Sequence, residues 1–170
     1  MSTNRISRDE IEKAHQSLAL LTEQETRKLV KRFQKKQEPL LVYLAAVSER
    51  EAFNEEEQDI FFTMILVIWQ VLLKHYPGMK RVSMKRLEEA DDHAFASLEQ
   101  LADSSDADLL RHVDVQLGSH PEKELLGYVV EMTMESNPDS AVREEMRGMI
   151  FLSLSFVLDQ LLAACGAADN

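Results

Sequence analysis

A chain of 170 residues, 45% of them hydrophobic, can close one sizeable core, which excludes a disordered polymer. Its net charge of −11 repels phosphate backbones and anionic lipid, so neither nucleic acid nor a membrane is expected as a partner. A single cysteine, Cys165, excludes an intramolecular disulfide, and five glycines with four prolines favour long helices over many short strands.

Ser7 is placed to cap a first helix with the apolar face Ile11, Ala14, Leu18 and Leu21. Thr22 and Glu25 have capping-box spacing ahead of a second helix bearing Leu29, Val30 and Phe33. Pro39, which lacks an N–H and clashes with the preceding turn, breaks or kinks the chain before a third helix with Leu40, Leu41, Tyr43, Leu44 and Val47. Asn54 caps the fourth, whose first turn holds Glu55, Glu56 and Glu57 at the positive end of the helix dipole. The longest apolar run, Ile60 to Leu73, is shorter than the roughly 20 residues a membrane span needs, and is read as a buried central helix. Tyr76-Pro77-Gly78 ends this half.

A fifth helix starts at Ser83, with Leu87, Ala90, Ala94, Phe95 and Leu98 as its buried face. Ser105 with Asp108 starts a sixth. Ser119 with Glu122 starts a seventh, carrying Leu125, Leu126, Tyr128, Val129 and Met132. Asn137 followed by Pro138 opens an eighth, stopped by Gly166. Trp69 is a core anchor, and Met132, Met134, Met146 and Met149 are adaptable packing residues around the last loop.

The halves repeat in order. Arg5-Ile6-Ser7 matches Arg81-Val82-Ser83, and the same register pairs Ile11 with Leu87, Ala14 with Ala90 and His15 with Asp91. Leu40-Leu41-x-Tyr43 then matches Leu125-Leu126-x-Tyr128, and Leu72-Leu73 matches Leu161-Leu162. The separation grows only at loops or helix ends, as insertions require. The expected fold is therefore all-α: one globular domain over 1–170, a compact bundle of about eight helices. Two pseudo-symmetric four-helix repeats, 5–75 and 81–165, surround two central apolar helices.

Three groups of residues invite a functional reading. Glu12-x-x-His15 presents both side chains on one helical face, as carboxylate-bridged metal bundles do, and Glu88-x-x-Asp91 repeats the spacing with ligands suited to a hard cation. The plainer reading of all four is a solvated helix face. Gln70 and Asp159 hold equivalent positions in the two most apolar helices, where they either mark a ligand cavity or sit near helix ends in solvent. Arg27, Lys28, Lys31, Arg32, Lys35 and Lys36 line the second helix opposite its apolar face. That stripe suits an acidic partner; its plainer reading is a solvated face that offsets the chain's own acids.

There is no nucleophile elbow, phosphate-cradling loop, His-Glu-x-x-His or paired cysteine, so catalysis has no sponsor and no cofactor is called for. The expectation is a non-catalytic helical protein that binds another protein as an adaptor or regulator. A small-ligand or metal-binding bundle, with or without activity, is the alternative, and a structural homodimer is a third form. The first twenty residues hold no apolar leader core, and the lone thiol suits a reducing compartment, so the expected location is the cytoplasm.

Overall fold

The computed structural model describes residues 6–102, 106–134 and 142–166. Within them all the regular secondary structure is helical, and there is no strand. Eight α-helices are present: α1 (Arg8–Ala19), α2 (Glu23–Lys36), α3 (Glu38–Arg50), α4 (Glu55–His75), α5 (Met84–Ala102), α6 (Asp106–Ser119), α7 (Lys123–Met134) and α8 (Arg147–Ala164). A 3₁₀ turn, Glu144–Met146, leads into α8.

Local chemistry sets most boundaries. The Ser7, Thr22 and Asn54 side chains accept from the backbone N–H three residues on, and Glu10, Glu25 and Glu57 answer by accepting from the capping residues' own N–H groups. Pro39 falls in the first turn of α3, where a missing N–H costs nothing, and Gln37 breaks the chain ahead of it at φ −135°, ψ 45°. At the end of α8, Gly166 takes a left-handed φ of 76°, which suits a residue without Cβ. Two expectations need correcting or setting aside. Ser119 is the last residue of α6 and donates to the Val115 carbonyl, so it does not cap α7; the carbonyl of Glu122 accepts the first bond of that helix instead. Ser105, Asn137, Pro138 and the side chains of Ala94, Phe95 and Leu98 fall outside the described residues, but α8 starts at Arg147, after the 3₁₀ turn, and not at Pro138.

The core follows the apolar pattern. Met64 through Trp69 are all buried in α4, as are Ser153 through Leu158 in α8, and α4 packs directly on α8. Each large apolar side chain taken out of water stabilises by about 1.5–3 kcal/mol, so these two helices anchor the fold. The stretch Glu144–Ala164 is long and apolar enough to cross a membrane by length and composition. More than half of its most apolar part is buried inside the protein, where α4, α5 and α7 pack against α8.

Around this centre α1 packs on α4 and α7, while α5 packs on α8 and α3. α2 adjoins α3, and α6 adjoins α7. α7 packs closely on α8, whereas α3 scarcely approaches α4.

Candidate functional site

The six cations on α2 are all exposed, while Leu29 and Phe33 of the same helix are buried. Arg27 pairs with Glu23 one turn earlier. Lys28, Lys31, Arg32, Lys35 and Lys36 have no ion-pair partner among the described residues. Arg81 extends the basic surface, since its guanidinium donates to the Lys35 carbonyl at 2.7 Å. Phe33 fixes this helix from beneath, with its ring edge-on to Trp69 (5.3 Å between centroids) and to Phe62 (6.0 Å).

Beside α2 lies a groove of about 480 Å³ between α3 and α4. Leu44, Phe53 and Phe61 form its buried floor, and Leu41, Ala45 and Phe62 line its walls. Gln58 is among the few polar groups there, and its amide is already donated to the Phe53 carbonyl. The groove stays open because α3 is held elsewhere. Asp91 of α5 receives hydrogen bonds from the Tyr43 hydroxyl at 3.0 Å and from the Arg50 guanidinium at 2.9 Å, drawing α3 towards α5.

The four residues read as metal ligands go to separate neighbours. Glu12 is exposed and pairs with Arg8, which also pairs with Glu131 and lies over the Tyr128 ring. His15 Nδ1 is 2.7 Å from the Tyr128 hydroxyl. Asp91 serves Tyr43 and Arg50, and Glu88 faces solvent. Among the described residues no group of three or more His, Cys, Asp or Glu is arranged to hold a metal ion. Gln70 and Asp159 also part company: Gln70 lines a surface groove between α1 and α4, while exposed Asp159 bonds His120 at 3.1 Å.

Three polar sites escaped the sequence reading. Glu57 is fully buried, and its carboxylate accepts from the Arg143 guanidinium at 2.7 Å as well as from the Asn54 and Arg143 backbones. Burial opposes its charge, but Arg143 and those N–H groups hold the carboxyl below its ordinary range. Gln37 is buried, accepts from Val82 N–H and donates to the Lys80 carbonyl, both at 3.0 Å. Buried Glu122 accepts from Ile6 N–H at 3.3 Å. The sequence placed Glu57 in the first turn of a helix, but its cation lies 86 residues away.

Two tyrosines and the thiol are pushed towards their neutral forms. Burial raises the Tyr128 phenol to about 12 and the Cys165 thiol to about 11, the latter helped by Glu122. Burial and then Asp91 raise Tyr43 further. Such groups suit structural hydrogen bonding and packing, and none is poised as a nucleophile. Searches against protein-family models, curated proteins and solved structures found no match for this chain.

Proposed function

We propose that this protein is a non-catalytic helical adaptor or regulator that docks an acidic partner protein through the basic face of α2. The observation that carries the reading is that five exposed cations on one helix lack an internal partner among the described residues, on a chain whose net charge is −11. A stripe serving only to neutralise the protein's own acids would be expected to form ion pairs with them. Cations left free are available to steer and orient an anionic surface. The proposed compartment is the cytoplasm, on the strength of the lone Cys165.

The body carrying this face is proposed to be a duplicated four-helix unit. Two hydrogen bonds support it, because each has a counterpart at the register read from sequence. Val82 N–H to Gln37 corresponds to Ile6 N–H to Glu122, and Tyr43 hydroxyl to Asp91 corresponds to Tyr128 hydroxyl to His15. The helix packings also exchange in pairs when α1–α4 are swapped with α5–α8. The packing of α7 on α8 is the exception, since α3 scarcely approaches α4. The aligned part of α6 carries Asp108, Arg111, His112 and Asp114, so the basic face belongs to one copy alone.

Pull-down from native lysate, comparing the natural chain with one in which Arg27, Lys31 and Lys35 are changed to Glu, tests the function. The reading expects acidic partners to be lost from the variant, and an unchanged partner list would discard it.

A further inference from the structure

The groove between α3 and α4 lies where the proposed pseudo-symmetry fails, since its counterpart seam is filled by the close packing of α7 on α8. A filled seam in one half and an open apolar one in the other suggest that the open seam is completed by something else. We infer that it is completed by an amphipathic helix of the partner protein, whose acidic end lies beside α2. This rests on the proposed docking role of α2 and specifies the shape and charge of what docks.

Shape comes first. From Leu41 to Glu49 the α3 wall runs about 12 Å at 1.5 Å per residue, which is the reach of anchors spaced i, i+4 and i+7 on a docked helix. Floor and walls offer Leu44, Phe53, Phe61 and Phe62 to apolar anchors, and no convergent set of polar groups to orient a small metabolite. Charge supplies the direction. Lys36 precedes Leu41 by five residues, so the Leu41 end of the groove adjoins the last turn of α2, with Lys35 and Lys36, and Arg32 lies one turn earlier. The opposite end carries Glu49, and the first turn of α4 there holds Glu55 and Glu56; all three are exposed and without an ion-pair partner among the described residues. A helix acidic at one end and basic at the other meets both.

The test uses a synthetic helical peptide with leucines at i, i+3, i+4 and i+7, glutamates at one end and lysines at the other. Its control is a scrambled peptide of the same composition. Amide shift changes of the full-length protein report where it binds. The inference expects shifts in α3 and α4 around Ala45 and Phe62 with the helical peptide and none with the scramble. Ala45→Trp, on the exposed wall, should weaken binding at least about tenfold by filling the groove. Joint reversal of Arg32, Lys35 and Lys36 to Glu should weaken it about fivefold or more, with a smaller loss at high salt. Binding that survives Ala45→Trp, or shifts confined to other helices, overturns the groove while leaving the α2 reading to its own pull-down. Binding lost with Ala45→Trp but indifferent to the α2 reversal supports the groove and overturns the role of α2. Concentration-dependent shifts in the groove without peptide would assign it to a second copy and overturn the inference.

Discussion

Gln37 holds the passage between the two halves, and a substitution there has a calculable effect. Its side chain is 2% exposed, accepts from the N–H of Val82, itself 3% exposed, and donates to the carbonyl of Lys80. In Gln37→Ala, the Val82 N–H is orphaned in a buried position, which costs about 1–3 kcal/mol. The one lost methylene adds roughly 0.8 kcal/mol of transfer energy. The sum, about 3 kcal/mol, corresponds to a melting temperature lower by roughly 6–12 °C for a protein of this size. Gln37→Glu discriminates more sharply. Protonated, Glu reproduces both hydrogen bonds; ionised, it loses the donor and buries a charge without a cation. Keeping it neutral at pH 7 costs up to about 3.7 kcal/mol from an ordinary glutamate pKa near 4.3, but only about 1 kcal/mol at pH 5. Urea unfolding followed by circular dichroism should therefore show a loss relative to the natural chain that is large at pH 7 and shrinks towards pH 5. A Gln37→Glu chain as stable as the parent at pH 7, or a loss independent of pH, would refute the hydrogen-bonding role.

Three further outcomes concern Glu57, Cys165 and Gly166. Glu57 has a lowered carboxyl pKa, so its contribution is fully present above the ordinary glutamate range and is lost as pH falls through the lowered value; Glu57→Gln should flatten the acid limb of the stability curve measured by urea titration. The Cys165 thiol, raised from 9.0 to about 11, should react about 100-fold more slowly than a free thiol with a disulfide reagent at pH 8, its rate still climbing above pH 10. Gly166→Ala forces a Cβ into the left-handed region and should cost about 1 kcal/mol, read as a lower urea midpoint with an unchanged slope.

What the sequence revealed was local or periodic. Ser7-Glu10, Thr22-Glu25 and Asn54-Glu57 declare helix starts within four residues because both halves of each capping box are near neighbours in the chain. The all-round apolar middle of α4 likewise announces a central helix, since no solvent-facing side is left for it. Ser119 misled because the rule is blind to where the preceding helix stops, and α6 simply runs through it. The α2 cations were plain at helical spacing, but only coordinates show which of them lack a partner. Glu12, His15, Glu88 and Asp91 looked like two similar motifs; what scatters them is tertiary, because Tyr128 reaches His15 while Arg50 and Tyr43 claim Asp91. The α3–α4 groove had no signature at all, as it arises from α3 leaning on α5.

Docking through α2 is tested most directly by covalent capture in its native surroundings. A photo-crosslinking residue placed at Lys31, and for comparison at exposed Glu88 on α5, reports which face meets a partner in lysate. The account predicts discrete adducts with acidic proteins at position 31, strongly reduced at about 0.5 M salt by charge screening, and no matching adducts at position 88. Adducts at 31 no more abundant than those at 88, or undiminished by salt, would contradict it.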